Sequence, residues 1–343
     1  MTNRETIETR IFGTSQEELA EAAAILREGG LVAFPTETVY GLGADALNPS
    51  AVAKVYAAKG RPSDNPMIVH IARASDIGQL TPRLDPRMIK LIENFWPGPL
   101  TLVVKKKDNV PMVTTGGLDT VAVRMPDDPT ALELIRLADV PVAAPSANLS
   151  GKPSPTKADH VIQDLSGKID GIVRGGDCRV GIESTVLDIS GETPVILRPG
   201  IITAENIESA IGEKVELDPA LKNREGLSED SDSPSPKAPG MKYKHYAPQA
   251  RMMVLEGQQD KVRAEIQRLK ALNESLGNKV GVILFEEQAF IEAAHNFFAE
   301  LRELDQQGVD LILAGALSDK DGLGFAVMNR MMKSAGYNIV TVK

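Results

Sequence analysis

The stretch Lys59-Gly-Arg-Pro-Ser-Asp-Asn-Pro-Met-Ile-Val-His-Ile71 joins the basic end of a predicted helix to a predicted buried strand. A glycine after the last lysine of a helix readily adopts the left-handed closing conformation. Prolines stiffen the loop Arg61–Pro66, and the apolar run Met67–Ile71 predicts a strand that contains His70. Two interpretations stay open: a basic connection with a structural histidine, or polar side chains that form part of a site.

The length and composition of the sequence indicate a two-domain protein of the cytoplasm. The chain has 343 residues, 42% of them hydrophobic, and a domain commonly holds about 100 to 200 residues. Apolar runs are too short to span a membrane, and the first residues show no signal-peptide pattern. The single cysteine, Cys178, excludes an internal disulfide and a cysteine-built metal site. We therefore expect a cytoplasmic location without membrane attachment.

The charge of the chain argues against general adhesion to nucleic acid. The net charge is −9 at pH 7, whereas non-specific nucleic-acid binding requires clustered cations. Residues 50–107, which include the opening stretch, nevertheless carry an excess of lysine and arginine over acidic residues. This local excess fits either a solvated face or the lining of a phosphate site.

Short strands and helices alternate over residues 1–217, which predicts an α/β domain. Some of these strands follow one another directly, so a twisted mixed sheet is favoured over a regular doubly wound one. Residues 218–249 are predicted to be an interdomain linker, because 223–240 have almost no large apolar side chain. The second part of the linker, 241–248, concentrates tyrosine, lysine and histidine. Residues 250–343 predict a smaller, Rossmann-like αβα domain with a parallel sheet.

Several common catalytic motifs are absent from the sequence. There is no Walker-type phosphate loop, no Gly-x-Ser-x-Gly elbow and no zinc-type cluster of histidine and cysteine. Gly322-Leu-Gly324 resembles a fragment of a dinucleotide-binding fingerprint, but the third glycine is missing, and a helix start is the better interpretation. His160 and His295 lie within predicted helices, where we expect surface or packing roles.

Polar side chains instead collect just after or within the predicted strands. In open α/β sheets the ligand crevice lies outside strand ends, so such side chains can converge there. Arg124 lies in an otherwise apolar strand and requires an anionic partner. That partner is either a core carboxylate, such as Glu37 or Glu183, or a carboxylate or phosphate ligand, which the arginine fork binds well. The candidate residues are Thr36, Arg61, Asn65, His70, Thr120, Arg124, Ser146, Asn148, Ser184 and Arg198.

Seven motifs, in order along the chain, resemble those of the YrdC-like family. They are Pro35-Thr-Glu-Thr-Val-Tyr-Gly-Leu42, Lys59-Gly-Arg-Pro62 with Asn65-Pro66 and His70, Trp96-Pro-Gly-Pro-Leu-Thr101, Val121-Ala-Val-Arg-Met-Pro126, Ala144-Pro-Ser-Ala-Asn-Leu-Ser-Gly151, Glu183-Ser-Thr-Val186 and Leu197-Arg-Pro-Gly200. The resemblance covers residues 10–215. Lys244-His-Tyr-Ala-Pro248 and Gly322-Leu-Gly-Phe-Ala-Val-Met-Asn-Arg330 extend it to the long, two-domain L-threonylcarbamoyladenylate synthases of that family.

The resemblance implies a reaction and its participants. L-threonine, bicarbonate and ATP, with Mg²⁺ accompanying the ATP, give L-threonylcarbamoyladenylate and pyrophosphate. The product serves the threonylcarbamoyladenosine modification of tRNA beside the anticodon. Downstream tRNA-modifying proteins are therefore implied as partners, and direct RNA binding is left open.

The resemblance also assigns roles by motif position. It places threonine against Thr36, His70, Arg124, Ala144 and Ser184. It places ATP against Arg61, Asn65, Thr120, Ser146, Ser154, Arg198 and His245. Lys59, Arg61 and Arg124 are the expected catalytic residues, and residues 241–248 correspond to an interdomain loop that folds over the site.

Two other classes of function compete with this one. A non-catalytic module that binds double-stranded RNA or nucleotides would show strong salt dependence and no turnover. A carbamoyl-transfer domain of a larger maturation enzyme would require zinc-binding and acylphosphatase-like segments, which this sequence lacks. The acidic total and the residues suited to small anions favour the synthase.

Overall fold

The computed structural model describes residues 7–221, 236–239, 241, 245–318 and 322–343, which form one 11-stranded and one 4-stranded sheet with helices. The strands are β1 Arg10–Phe12, β2 Val32–Phe34, β3 Gly41–Asp45, β4 Ile68–His70, β5 Leu100–Lys105, β6 Thr120–Arg124, β7 Val142–Ala143, β8 Gly171–Val173, β9 Thr185–Asp188, β10 Val195–Arg198, β11 Glu216–Leu217, β12 Arg251–Glu256, β13 Val280–Ile283, β14 Leu311–Gly315 and β15 Ile339–Thr341. The α-helices are α1 Gln16–Arg27, α2 Pro49–Lys59, α3 Pro86–Phe95, α4 Pro129–Ala138, α5 Ala158–Leu165, α6 Ala204–Ile211, α7 Gln259–Ser275, α8 Phe290–Gln307 and α9 Leu323–Ser334.

The large sheet is mixed, as the sequence predicts. Its order is β1-β8-β2-β3-β7-β4-β6-β5-β9-β10-β11, with parallel pairs such as β4 with β6 and antiparallel pairs such as β5 with β6. Both of its faces are covered. Ala33 of β2 belongs to the core that contains α2, α3 and α5, whereas Val32 and Phe34 belong to the core that contains α1 and α4. Such burial on both sides explains the almost continuously apolar strands.

Local capping signals set the helix bounds that the sequence predicts. The Ser15 hydroxyl accepts a hydrogen bond from the Glu18 N–H at 3.3 Å, and the Asn48 side chain caps α2. Helix α2 ends at Lys59, and Gly60 follows with a φ of 62°. Glycine adopts this left-handed conformation without a Cβ penalty, so Gly60 ends the helix and turns the chain toward Arg61.

The hydroxyl-rich and small residues of Pro35–Asp45 predict a polar turn, and this prediction is wrong for the second half, where the structure has β3. This strand, Gly-Leu-Gly-Ala-Asp, lacks the branched and aromatic residues that mark strands in a sequence. Packing requires its glycines. A Cβ on Gly43 would come within 2.8 Å of Phe34 and of Val142. Tertiary contacts therefore create a strand that local propensity conceals.

The predicted strand of the opening stretch is confirmed and lies centrally. β4 pairs in parallel with β6 and antiparallel with β7. The parallel register places His70 directly beside Arg124. β4 ends at His70 and β6 ends at Arg124, so these two polar residues lie side by side at the same edge of the sheet.

The second sheet has the order β13-β14-β12-β15 with every pair parallel, which confirms the predicted Rossmann-like parallel sheet. Helices α8 and α9 share a hydrophobic core with it. The interpretation of Gly322 as a helix start is also confirmed, because α9 begins at Leu323. Strand β15 was not predicted from the sequence.

The proposed linker, residues 218–249, lies partly outside the described residues, which omit 222–235, 240 and 242–244. Its predicted boundaries at 217 and 250 stay predictions. No helix among the described residues is both long enough and apolar enough to cross a membrane.

Candidate active site

A polar cleft opens where several strands of the large sheet end. It holds about 710 Å³ of space, part of it continuous with solvent. Its walls include segments distant in sequence: the loop between β2 and β3, the loop after β7, the residues just before β9, and the end of β10. The predicted residues that line it are Thr36, Lys59, Arg61, His70, Arg124, Ala144, Ser146, Asn148, Ser184, Arg198 and His245.

His70 and Arg124 form one end of the cleft. The buried His70 ring lies edge-on to Phe34, and its Nδ1 is 3.1 Å from the Ile68 carbonyl oxygen, which can only accept a hydrogen bond. Burial, together with the charge of Arg124, lowers the pKa of His70 to about 3. The imidazole is therefore neutral at physiological pH and can contribute hydrogen bonds and shape, but not charge.

Arg124 is buried, and its Nη2 has a charged neighbour but no hydrogen-bond partner. Its Nη2 lies 2.6 Å from the carboxylate of Glu37, its Nη1 donates to the Thr38 hydroxyl at 2.9 Å, and its Nε donates to the Gly98 carbonyl at 3.2 Å. Of the two carboxylates that the sequence left open as partners, the structure pairs it with Glu37. Neither Glu37 oxygen meets hydrogen-bond geometry, so the pair is held by charge alone.

Ser184 is fixed from two directions. Its hydroxyl lies 2.8 Å from the Thr101 hydroxyl, and Arg198 donates to that same hydroxyl through Nη2 at 3.1 Å. Arg198 also donates through Nε to the Ser184 carbonyl at 3.0 Å. This arrangement leaves Ser184 little rotational freedom and ties β9 to β10 beside the cleft.

Two further basic residues, Lys59 and Arg61, also line the cleft. The Lys59 ammonium donates to the carbonyl oxygens of Ser146 and Asn148. Burial and the neighbouring charge of Arg61 hold the pKa of Lys59 well below its usual value. Arg61 donates to the Asn65 and Pro66 carbonyls and lies over the Tyr56 ring. Main-chain carbonyls thus position both side chains.

The described part of the linker covers the cleft. Pro239, His245 and Tyr246 all belong to its lining, and the Tyr246 ring packs against Phe298 of α8 with centroids 5.1 Å apart. Burial, with a contribution from the charge of Lys333, lowers the pKa of His245 to about 3. His245 and Tyr246 of the segment 241–248 therefore lie at the site, whereas 242–244 lie outside the described residues.

Two family models match the chain over consecutive ranges. The Sua5/YciO/YrdC model, described as telomere recombination, matches residues 24–200. The model for the C-terminal domain of threonylcarbamoyl-AMP synthase matches residues 202–336.

The chain belongs to the threonylcarbamoyl-AMP synthase family.

Relatives of the synthase family match over nearly the whole chain. The threonylcarbamoyl-AMP synthase of Pyrococcus abyssi is 51% identical, with 94% of this chain and 95% of that protein covered. The Bacillus subtilis synthase is 47% identical, with 96% of each covered. The crystal structure of P. abyssi Sua5 complexed with L-threonine has a TM-score of 0.91 and 48% identity, and covers 98% of this chain and 100% of that one. The predicted family, enzyme class and threonylcarbamoyl-AMP synthesis are confirmed.

Three residues predicted to bind ATP do not line the synthase cleft. Asn65 is buried behind Arg61, and its side-chain Oδ1 has no hydrogen-bond partner. Ser154 donates to the carboxylate of Glu183 at 2.5 Å. Thr120 starts the strand that Arg124 ends, which places it away from the cleft. Their assignment as ATP contacts stays a prediction from the resemblance.

The structure adds Thr38 and Tyr246 to the cleft, and it places Glu37 and Glu183, which the sequence named only as possible partners of Arg124. Thr38, Glu183 and Tyr246 line the cleft, and Glu37 contacts its central arginine. Glu183 and Glu37 stood inside the quoted motifs, so the signal was present. What the sequence could not give was the pairing of each carboxylate with a distant arginine.

Proposed function

We propose that this cleft makes threonylcarbamoyl-AMP from L-threonine, bicarbonate and ATP, and that the product feeds threonylcarbamoyl modification of tRNA by downstream proteins. The threonine amine forms an N–C bond with the bicarbonate carbon and water is lost, which gives a carbamate. A carbamate oxygen then attacks the α-phosphorus of ATP, and the bond to the departing pyrophosphate breaks. One observation carries the proposal: neutral His70, Arg124 and Ser184 share a single cleft with Lys59 and Arg61.

At the threonine end, Arg124 would neutralise the substrate carboxylate through the planar fork of its guanidinium. Thr36, His70 and Ser184, with the main chain at Ala144, would complete the contacts. The Thr36 hydroxyl already donates to the Val39 carbonyl at 2.6 Å, which fixes its orientation. Family membership supports this assignment, since the related P. abyssi protein was crystallised with L-threonine.

At the ATP end, the cations Lys59, Arg61 and Arg198 would offset the charge of the triphosphate as pyrophosphate leaves. Ser146 and His245 line the same wall. Asn148 has a buried Oδ1 without a hydrogen-bond partner, so it can accept a hydrogen bond from a nucleotide. Asn65, Thr120 and Ser154 are assigned to ATP by the resemblance alone.

Neither His70 nor Lys59, among the described residues of the cleft, is arranged as a general base. His70 is hydrogen-bonded to main chain, and Lys59 holds two carbonyls. We infer catalysis by positioning and charge stabilisation. Closure of the linker segment 241–248 would exclude water from the carbamate and the mixed anhydride.

Magnesium would enter with ATP rather than in a site of the protein. Among the described residues, no group of three or more histidine, cysteine, aspartate or glutamate side chains could hold a metal ion. Glu183, the carboxylate that lines the cleft, is already held by Ser154 and by Arg330 of α9. We therefore assign no metal ligand to this chain. The cytoplasmic location stays a prediction.

Pyrophosphate release from ATP tests the proposal. With purified full-length protein, release is expected only when threonine and bicarbonate are both supplied. Release that ignores threonine would contradict the proposed substrate. Salt-sensitive binding of double-stranded RNA without any turnover would favour the non-catalytic module instead.

A further inference from the structure

Two buried arginines of the C-terminal helices reach into the N-terminal sheet domain. Arg330 of α9 is fully buried, and its Nε donates to the Glu183 carboxylate at 3.0 Å. Arg302 of α8 donates through Nη2 to the Asp164 carboxylate at 2.8 Å and to the Pro153 carbonyl at 2.6 Å. Both therefore join the two domains through desolvated, charge-assisted hydrogen bonds.

Arg330 holds two main-chain segments at once. Besides the Glu183 carboxylate, it donates through Nη1 to the Pro199 carbonyl. Glu183 immediately precedes Ser184, and Pro199 immediately follows Arg198. Ser184 and Arg198 are themselves hydrogen-bonded to each other in the cleft. Arg330 thus holds the Ser184–Arg198 pair indirectly, through Glu183 and Pro199, which are their neighbours in the chain; we call this arrangement the clamp.

The Glu183 carboxylate is the centre of this clamp. One of its oxygens accepts from the Ser154 hydroxyl and the other from Arg330, and Tyr246 of the linker lines the cleft beside it. Burial disfavours the ionised carboxylate, but the charges of Arg330 and Arg198 outweigh burial and lower the pKa of Glu183. The carboxylate is therefore held as an anion at physiological pH.

We propose that Arg330 is a positioning residue of the reaction, through which the C-terminal domain sets the places of Ser184 and Tyr246 around threonine. The inference rests on the proposed function, because it takes Ser184 as a threonine contact. The physical reason is the small tolerance of reacting geometry: a displacement of about 1 Å can cost a hundredfold in rate. Close packing transmits such a displacement here, since a Cβ on Gly200 would lie 2.4 Å from the Thr185 nitrogen.

Arg302 offers a matched control for a purely structural role. It is also a buried interdomain arginine, and it also binds a carboxylate and a proline carbonyl. Its partners Asp164 and Pro153, however, do not line the cleft. If Arg330 only docks the domains, replacement of either arginine should affect substrate use in the same way.

The test compares full-length Arg330→Met and Arg302→Met proteins in threonine-dependent pyrophosphate release and thermal unfolding. Arg330→Met should raise KM for threonine about tenfold through Ser184, and KM for ATP should rise as well, because the clamp also holds Arg198. Arg302→Met should lose comparable thermal stability and leave both KM values within about threefold of wild type. Similar KM values in the two variants, or an unchanged threonine KM in Arg330→Met, would overturn the proposal.

The pH profile supplies a readout that domain docking alone would not move. The charged and titratable groups around Glu183 in the described part of the chain include Arg330, Arg198, Tyr246 and His245, with Lys333 near them. Loss of Arg330 raises the pKa of Glu183, so the acid limb of kcat/KM should move to higher pH in Arg330→Met. Arg330→Lys should restore part of the wild-type profile. An unmoved acid limb would contradict the clamp.

Two further comparisons keep the test decisive. If Arg330→Met does not fold, Glu183→Gln takes its place and must raise the threonine KM; a wild-type value would overturn the proposal. Wild-type protein that shows no threonine-dependent turnover would instead refute the proposed function. Wild-type turnover with unaffected clamp variants would refute only the role of Arg330.

Discussion

The guanidinium of Arg124 lies 2.6 Å from the carboxylate of Glu37, and both side chains are almost completely buried, at 4% and 2% exposure. The Nε of Arg124 donates to Gly98 and its Nη1 to Thr38, whereas its buried Nη2 has no hydrogen-bond partner. A substrate carboxylate that binds Arg124 must therefore compete with Glu37 or share the arginine with it. Substitutions of Glu37 and Arg124 can therefore test how the cleft binds threonine.

Removal of the whole pair should disable threonine use selectively. Arg124→Met alone would strand the Glu37 charge in the interior, which costs about 3 to 5 kcal/mol, so Glu37→Gln is combined with it. In this double variant the KM for threonine should rise about a hundredfold, because a charged hydrogen bond to the substrate is lost, while the KM for ATP changes by less than about threefold. Pyrophosphate assays at varied threonine and ATP check this. Equal increases in both KM values would place Arg124 at a different substrate.

Glu37→Gln alone should have opposite effects on stability and on binding. Without the carboxylate, Arg124 is a buried cation with poorer compensation, so the unliganded protein should unfold at a lower temperature. Threonine no longer competes with an internal anion, so its Kd should fall several-fold, and its stabilising effect in thermal unfolding should grow. Weaker threonine binding by this variant would instead mean that Glu37 helps to hold the substrate.

Acid should destabilise the folded protein through its buried histidines. Burial lowers the pKa of His70 and of His245 to about 3, and that of His160 to about 4, from an ordinary value of 6.5. Between these values the unfolded chain binds protons that the folded chain does not, so stability falls as pH drops below about 6.5. Unfolding should therefore occur at lower denaturant concentration at pH 5 than at pH 7. His70→Asn should show a smaller loss, and an identical loss in both proteins would contradict this explanation.

The interdomain pair of Arg302 and Asp164 should contribute far more stability than a surface pair. Arg302→Met leaves the fully buried Asp164 with the partly exposed Lys152 as its ion-pair partner among the described residues, which should cost about 3 kcal/mol. Arg268, paired with Glu265 on the exposed face of α7, is the control, and its replacement should cost less than about 1 kcal/mol. Thermal unfolding of the two variants gives the comparison. Similar losses would show that the domain contact contributes little.

Local sequence signals predicted most elements of the fold for identifiable reasons. Ser15, Asn48 and Gly60 mark helix ends because their capping interactions involve neighbours in the chain. β3 was not predicted, because Gly43 is needed there only to leave room for the side chains of Phe34 and Val142, which lie elsewhere in the sequence. The strand order could not be predicted either, because strands far apart in the sequence are neighbours in the sheet: β8 lies between β1 and β2.

For the candidate site, too, the sequence predicted the residues but not the contacts between residues that are distant in the chain. Motifs fixed which residues matter, and the cleft gathers His70, Arg124 and Ser184 from three separate strands or strand ends. The partner of Arg124 stayed open between two carboxylates until the fold paired it with Glu37. Arg330 gave no local hint of a role, because its partner Glu183 lies 147 residues away in the chain.

Incorporation of carbon-13 from labelled bicarbonate tests the central claim most directly. Full-length protein is incubated with ATP, threonine and the labelled bicarbonate, and the quenched reaction is analysed by mass spectrometry. The account predicts an adenylate that contains one threonine and one labelled carbon, formed together with pyrophosphate, and much reduced in the Arg124→Met/Glu37→Gln variant. Pyrophosphate release without a labelled threonine adduct, or an adduct that forms equally well in that variant, would contradict it.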